Sequence, residues 1–350
     1  MIQADFFLPN SWIAPARNGS IPRGRSAVRS FSWVAQGGCE SAEVELSGDW
    51  NDLYNATQRV GQRIWLRDDN GDVVWWGYVA SASIGGNVIS IEEMANSVSV
   101  EWDDGITTGI TPAVTDAVSI AQYGVKELSI NGGKITPAAA SQLASRILAD
   151  RKRPINAPSS IEWQGDPVAT ISCLGYRSYL GWRRMDTFSA AGISPTDAIM
   201  ADCIATSQLA GLNITPTGVT TQREESATAL EQFVKCLSIG DAAGRGLCAY
   251  VTTAGYMRVS QEPLGRSPIL DRPFLIANRD QFYTAERIPI RNSMVPRTVC
   301  GSWVYRSDES QLAKVYGANR DLYFADRVVY NGDGSINLYT REVKIGYDNW

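Results

Sequence analysis

The sequence of 350 residues contains no histidine. Ser-His-Asp and Cys-His catalysis, the His-Glu-x-x-His zinc motif and most catalytic zinc sites all require this residue. Its absence removes these classes of enzyme together. We therefore expect a protein that is not an enzyme, with no catalytic, cofactor-binding or metal-binding residues.

Strong charge and a membrane-spanning segment are also absent. The net charge of −5 and the pI of about 5.1 give no support to nonspecific nucleic-acid binding through a broadly basic surface. Residues 73–91 are uncharged and long enough to cross a bilayer, but they alternate like strands around "SASIGGN", so no membrane binding is predicted. The start "MIQADFFLPNSW" lacks the signal-peptide pattern, and we expect no export by that route.

The cysteines are scattered, with no CxxC motif and no recurrent short spacing. Disulfide frameworks and zinc sites both need such spacing, so free buried thiols in a chain folded in a reducing cytoplasm are expected. The cysteines are Cys39, Cys173, Cys203, Cys236, Cys248 and Cys300.

Alternating strands dominate the first hundred residues. In "ESAEVELS" small or apolar residues alternate with polar ones, which is the period of a half-buried strand. "GDWNDLYNATQRVG" predicts a short amphipathic helix with Asp49 as its N-cap and Gly61 as its end. In "IWLRDDNGDVVWWGYVAS" the pair Asn70-Gly71 predicts a tight type I′ hairpin.

Beyond a linker rich in Gly, Thr and Pro, "AVSIAQYGVKELSI" is strand-like and "TPAAASQLASRILADRKRP" is the clearest helix in the chain. Thr136 is the predicted cap, Pro137 the first helical residue and Pro154 the stop. Three cations before that proline complement the helix dipole. The predicted inward stripe is Ala140, Leu143, Ala144, Ile147 and Leu148.

The rest of the chain adds two helices, "SPTDAIMADCIATSQLAG" and "SATALEQFVKCLSIG", and the hairpins "GLCAYVTTAGYMRVS" and "YNGDGSINLY". The predicted fold class is mainly β with short helices (α+β): tube-like antiparallel β-barrel or sandwich domains plus a small inserted α/β domain. We predict a first tube-like barrel domain with one short helix over residues 1–104. A linker, strands and the Ala-rich helix over 105–185 form part of a second β domain, 186–265 is the inserted α/β domain, and 266–350 completes the second barrel.

We call the hairpin in "IWLRDDNGDVVWWGYVAS" the aromatic hairpin. Its tryptophans either form a platform that binds a ligand or belong to a packed wall of the fold. Trp65, Trp75 and Trp76 would stack on a ligand if exposed, but Trp75 and Trp76 point to opposite sides of one strand and cannot form one flat platform. We interpret one face as core and the other as a subunit contact, with Gly77 allowing close approach. "NGGK", "RDDNGD" and "RKRP" are better explained as turns and a helix end than as phosphate, calcium or nucleic-acid sites.

Several stretches together resemble the hub proteins at the distal end of bacteriophage tails. These are the baseplate hub of contractile tails and the hub region of the tail-tip protein of long non-contractile tails. "GQRIWLRDDNGDVVWWGYVASAS" resembles their first barrel, and "NSVSVEW", "TDAVSIAQYGVKEL" and "AAASQLASRILADRKRP" recur in that order. "ATISCLGYRSYLGWRR" and the segments after it look like their inserted domain, although the "SIAQYG" segment precedes it here. The matching positions, to which the resemblance assigns a structural role, are Asn96, Val98, Val100, Asp116, Ser119, Ile120, Tyr123 and Gly124.

This resemblance implies a homotrimeric ring that adapts the sixfold tail tube to a threefold tip and lines the DNA channel. The implied partners are the tail tube or distal tail protein, a central tip or fibre protein and a tape-measure protein, while DNA passes without specific binding. The implied location is the virion tail tip, after assembly in the host bacterial cytoplasm. Two alternatives stay open: a β-rich carbohydrate-binding or depolymerising surface module, and a hexameric distal tail or tube protein.

Overall fold

The computed structural model describes most of the chain. The described residues are 3–8, 17–21, 26–48, 53–55, 58–85, 87–158, 168–185, 192–224, 227–261, 274–278, 282–285, 300, 303–304 and 323–342.

Strands alternate with a few short helices along the chain. The strands are β1 (Gln3–Phe7), β2 (Arg17–Ile21), β3 (Ser26–Val34), β4 (Gln36–Ser47), β5 (Arg63–Arg67), β6 (Val73–Ile84), β7 (Asn87–Ser90), β8 (Ser97–Asp103), β9 (Thr108–Ile110), β10 (Val114–Thr115), β11 (Glu127–Lys134), β12 (Ile155–Pro158), β13 (Val168–Gly175), β14 (Ile193–Pro195), β15 (Gly211–Asn213), β16 (Thr220–Gln222), β17 (Leu247–Val251), β18 (Tyr256–Gln261), β19 (Phe274–Asn278), β20 (Phe282–Ala285), β21 (Trp303–Val304), β22 (Tyr323–Asn331) and β23 (Ile336–Glu342). The helices are α1 (Ala117–Tyr123), α2 (Pro137–Arg151), α3 (Thr196–Thr206) and α4 (Ala229–Ile239), with a 3₁₀ segment at Tyr176–Trp182.

A large sheet forms the body of the protein. Its central ladder runs β2–β1–β5–β6–β13–β4–β3–β22–β23–β20–β19, with antiparallel neighbours throughout. β13 lies between β4 and β6, where Ile171 pairs with both Val44 and Ala82. β22 lies beside β3. The pairings therefore cross the domain bounds predicted at residues 104 and 265.

The mainly β fold with short helices is confirmed, whereas its expected barrel form is not seen in the described residues. A closed barrel pairs every strand on both sides. Within the described part of the chain, β2 pairs with β1 alone and β19 with β20 alone, so the ladder has two open ends.

Residues 95–151 build a separate layer, which we call the small unit. β8 is its central strand, with β9 and β10 antiparallel and β11 parallel to it. α2 packs on this sheet, and Thr136 caps it as predicted. The core of the small unit consists of Ala95, Val98, Val100, Ala140, Ala144 and Leu148, with Leu143 and Ile147 half-buried beside it.

The predicted strand at "AVSIAQY" is wrong, because this segment is helix α1. The Asp116 carboxylate accepts a hydrogen bond from Ser119 N, and Gly124 ends the helix at φ 82°. A cap at each end outweighs the weak strand preference of Val and Ile in so short a segment. In the predicted helix "GDWNDLYNATQRVG", residues 53–55 are helical and 58–61 form a turn. Its predicted cap, Asp49, lies outside the described residues.

The α/β unit follows the prediction closely. Ile199, Met200, Cys203 and Ile204 of α3 are buried, as are Phe233 and Leu237 of α4, while Leu230 and Val234 are half-buried. β17 and β18 form the predicted hairpin. β17 also runs parallel to β4 through Ala249 and Tyr250, so the α/β unit joins the large sheet by backbone pairing.

Candidate functional site at the Asn96 junction

The two adjacent tryptophans of the aromatic hairpin are both inside the chain. Trp75 is 0% exposed and its indole Nε1 donates to the Ser32 carbonyl oxygen at 3.2 Å. Trp76 is 2% exposed and its Nε1 donates to the Val251 carbonyl oxygen at 2.7 Å. They face opposite sides of β6 as predicted, but β17 of the α/β unit covers the second side. The hairpin is therefore a wall with packing on both faces.

Trp65 lies on the half-buried side of the neighbouring strand. Its Nε1 donates to the Tyr176 hydroxyl oxygen at 3.3 Å, and its ring lies 4.5 Å from that of Phe7. Tyr176 continues into a stacked row in which the rings of Tyr78 and Tyr179 are 4.6 Å apart. The 3₁₀ segment thus covers the hairpin with aromatic rings, so these three tryptophans present no flat platform to a ligand.

Gly77 has the close approach that the sequence predicts. A β-carbon at this position would lie 2.1 Å from the Leu174 carbonyl oxygen and 2.5 Å from Cη2 of Trp75. Gly77 pairs with Gly175 across β6 and β13. The absent side chain leaves room for the Trp75 ring to lie across the strand.

The matching positions of the second motif meet at Asn96, which is 0% exposed. Its Nδ2 donates to the Ser119 hydroxyl at 3.2 Å and to the Gly124 carbonyl oxygen at 2.7 Å. Its Oδ1 accepts from Lys126 N at 2.7 Å. One buried amide therefore holds the body of α1, its C-terminal end and the start of β11 together.

Asp116 fixes the other end of α1. Its backbone N donates to the Asn96 carbonyl oxygen at 3.0 Å, and its carboxylate accepts from Ser119 N at 2.9 Å. Lys152, just past α2, donates to the same carboxylate at 3.0 Å. These bonds lower the pKa of Asp116, the Ser119 backbone bond most, so the cap is charged at neutral pH.

Tyr123 and Gly124 connect this network to the rest of the chain. A β-carbon at Gly61, in the turn before β5, would lie 2.7 Å from the Tyr123 ring. A β-carbon at Gly124 would lie 2.0 Å from the Gln208 side chain, which follows α3. Asn96, Asp116, Ser119, Tyr123 and Gly124 therefore form one cluster, the Asn96 junction, where the small unit meets the large sheet and the α/β unit.

Lys126 is a member of the junction that the sequence did not reveal. Its Nζ donates to the Ile91 carbonyl oxygen at 2.6 Å and to that of Glu92, and it lies 5.4 Å from the Trp182 ring centroid. Burial lowers the pKa of Lys126 from 10.5 to about 8, although the nearby negative charges of Glu92 and Glu93 act to raise it. No local motif marks such a lysine, because its partners lie in the turn at residues 91–92 and in the 3₁₀ segment, both far away in the sequence.

We expect the contribution of Lys126 to the free energy of unfolding to increase as the pH rises from about 8 to about 10.5. The unfolded chain holds this proton up to about pH 10.5, whereas the folded chain releases it near pH 8, so folding becomes more favourable as pH rises between these values. From pH 7 to pH 10 the wild type should gain about 2 kcal/mol relative to Lys126→Met. Urea midpoints of both proteins at the two pH values measure this, and parallel changes in the two proteins would contradict it.

The described residues offer little for cofactor, metal or thiol chemistry. Within these ranges, no group of three His, Cys, Asp or Glu side chains is placed to hold a metal ion. All six cysteines are free and buried, as predicted. Burial raises the pKa of Cys203 to about 12 and that of Cys173 further, so neither is a nucleophile at neutral pH. Among the described helices, none is long and apolar enough to cross a membrane.

Comparison with known proteins gives likenesses of structure only, since no protein-family model and no curated protein matches the chain. The chain is similar over 98% of its length to 96% of the 43 kDa tail protein of prophage MuSo2 from Shewanella oneidensis, with 10% identity and a TM-score of 0.48. It is similar over 97% of its length to 95% of the tail protein from Neisseria meningitidis MC58, with 9% identity and a TM-score of 0.44. It is similar over 98% of its length to 95% of prophage tail protein gp18 from Listeria monocytogenes EGD-e, with 8% identity and a TM-score of 0.42. These three solved structures are all of tail proteins.

Proposed function

We propose that this chain is a structural, non-enzymatic component of a phage tail, and specifically the hub subunit that forms a homotrimeric ring at the tail tip. In this role the ring adapts the sixfold tube to a threefold tip, and DNA passes through its centre. The proposal rests on the resemblance of the aromatic hairpin and the "SIAQYG" segment to tail hubs, together with the architecture of the Asn96 junction.

The single observation that supports the proposal most is that the residues matching the tail-hub pattern lie together in one hydrogen-bonded cluster. Asn96, Ser119 and Gly124 are hydrogen-bonded directly, and Asp116 caps the same helix. A ring subunit has to hold its parts in fixed relative orientation, because a closed ring tolerates little variation between copies. A buried polar network at the meeting point of three layers supplies that rigidity.

The charge balance suits a channel for DNA. The chain carries a formal net charge of −5. A strongly basic lumen would bind phosphates and release counterions, which would hold the DNA in place. Passage without specific binding is therefore consistent with this composition.

The test is the oligomeric state of the purified protein. Mass photometry and a projection image down the particle axis should report a threefold ring, alone or with tail-tube protein present. Monomers under both conditions would contradict the proposal. A sixfold ring would instead support the distal tail or tube alternative, since the number of subunits separates the two roles.

The carbohydrate-binding alternative depended in part on exposed tryptophans. Trp75 and Trp76 are buried, and each donates its indole hydrogen to a backbone carbonyl within the chain. Their burial removes the observation that motivated a stacking platform in this hairpin. A glycan array checks the remaining surface, and binding there would restore the alternative.

A further inference from the structure

The turn of the aromatic hairpin exposes an Asn-Gly step, Asn70-Gly71. Residues 69–72 are all exposed, and within the described part of the chain the Asn70 side chain makes no hydrogen bond. Apart from its chain neighbours, a β-carbon built on Gly71 would meet no atom within 4 Å. The chain has three more Asn-Gly steps, and the side chains of one of them, Asn18-Gly19, lie outside the described residues.

The step Asn131-Gly132 is held within β11. The Asn131 Oδ1 accepts a hydrogen bond from Gly133 N at 2.8 Å, which fixes the amide group. A β-carbon on Gly132 would lie 2.6 Å from Cδ1 of Ile135 and 2.8 Å from Cγ1 of Val100, both of which pack in the core of the small unit. Movement of the backbone at this step would therefore disturb packed side chains.

The step Asn331-Gly332 is held at the turn between β22 and β23. Nδ2 of Asn331 donates to Ser335 Oγ at 2.9 Å, and Gly332 N donates to the Arg29 carbonyl oxygen at 2.7 Å. A β-carbon on Gly332 would lie 2.4 Å from the Val28 carbonyl oxygen. Both the amide group and the backbone nitrogen that follows it are thus engaged, and the backbone is packed against β3.

The difference between these steps bears on a reaction of asparagine itself. Asparagine is a thermolabile residue, because the backbone nitrogen that follows it can attack its side-chain amide carbon. Glycine favours the attack, since it has no side chain to shield that nitrogen and its backbone turns freely. Gly71 N donates to the Asp68 carbonyl oxygen at 3.1 Å, so this bond has to open first. Because the bond lies in an exposed turn, water can replace it without disturbing another segment.

We propose that Asn70 is a site of spontaneous deamidation, selected by the free amide group and the unpacked glycine of this turn. The Gly71 backbone nitrogen attacks Cγ of Asn70, so an N–Cγ bond forms and the Cγ–Nδ2 bond breaks. The Nδ2 group leaves as ammonia and takes the proton that Gly71 N gives up. Water then opens the succinimide ring at either carbonyl, which leaves aspartate or isoaspartate. The reaction needs no enzyme and does not depend on the proposed ring of subunits.

The isoaspartate product changes the length and the charge of the turn. It routes the main chain through the side-chain carbon, which adds a methylene group between residues 70 and 71. Asp68 Oδ1 accepts from Asn70 N at 2.9 Å and from Asp72 N at 3.0 Å, and the second bond depends on the length of the turn. The new carboxylate also lies close to those of Asp69 and Asp72, which repel it. The modified turn therefore holds the register of the aromatic hairpin less firmly.

Peptide mapping of the full-length protein tests the site. The protein is incubated at about pH 8.5 in ¹⁸O-labelled water and digested with pepsin at acidic pH, where deamidation is slow. We expect Asn70 to convert at least fivefold faster than Asn131 and Asn331. In protein unfolded with urea the three rates should agree within about threefold, because packing then protects none of them. An advantage of Asn70 in the folded protein that is no larger than in urea overturns the proposal.

Two variants test the consequence of the reaction. Asn70→Gln keeps the amide group on a longer side chain that closes a ring more slowly, so the aged variant should keep its urea midpoint. Aged wild type should have a lower midpoint than Asn70→Asp, which carries the charge on an unaltered backbone. Equal midpoints for these two proteins overturn the effect of isoaspartate on the turn. A matching loss in aged Asn70→Gln overturns the assignment to Asn70.

Discussion

Asn96→Ala is expected to lower the apparent free energy of unfolding by about 3–5 kcal/mol. The substitution removes the amide that donates to the Gly124 carbonyl oxygen at 2.7 Å and accepts from Lys126 N at 2.7 Å. Each buried partner left without a hydrogen bond costs about 1–3 kcal/mol, and the lost Ser119 bond adds to that. The loss should appear in urea titrations followed by tryptophan fluorescence.

Asn213→Ala is the matched control for this prediction. Asn213 is exposed in β15, so its substitution should change stability by less than about 0.5 kcal/mol. Equal midpoints for the two alanine variants would show that the Asn96 amide does not hold the junction.

Gly77→Ala should destabilise the large sheet by at least about 3 kcal/mol. The new methyl group would lie 2.1 Å from the Leu174 carbonyl oxygen and 2.5 Å from Trp75 Cη2, and a β-carbon does not approach other atoms this closely. β13 is paired on both sides and Trp75 is fully buried, so neither neighbour can move without disturbing the core. Overpacking of this kind typically costs about 1–3 kcal/mol and more where backbone must shift.

Gly181→Ala tests whether that loss comes from the close contact. A β-carbon at Gly181 would meet only Leu230 Cδ2, at 3.7 Å, which is ordinary packing distance. This variant should match the wild type within about 0.5 kcal/mol. Soluble yield and thermal midpoints of both variants are the measurements, and a Gly77→Ala protein as stable as Gly181→Ala would contradict the packing argument.

The sequence predicted those features that depend on neighbouring residues. α2 has its cap at Thr136 and its buried stripe at Ala140, Ala144 and Leu148, because the cap and the helical period are both encoded within one segment. A hairpin forms at Asn70-Gly71 for the same reason, with Gly71 at φ 86°. Its turn is not the predicted type I′ turn, because Gly71 N donates to the Asp68 carbonyl oxygen at 3.1 Å and the turn therefore centres on Asp69 and Asn70.

Features that depend on distant segments were predicted less well. The strand interpretation of "AVSIAQY" failed because it rested on the strand preference of Val118 and Ile120, while the capping bonds of Asp116 and Gly124 decide the helix. The second face of the aromatic hairpin was expected at a subunit contact, and only the fold places Trp76 beneath Val251, far along the chain. No sequence pattern indicated that Lys126 belongs to the Asn96 junction.

By itself, the sequence determined that the chain folds as β-rich layers with short capped helices, free buried thiols and no histidine chemistry. The tertiary structure alone decided that Asn96 joins Ser119, Gly124 and Lys126 in one buried network, and that Val251 covers Trp76. The reason is physical: caps, turns and periodicity are short-range, whereas hydrogen-bond partners, burial and the relative placement of surfaces arise only when segments far apart in the chain pack together.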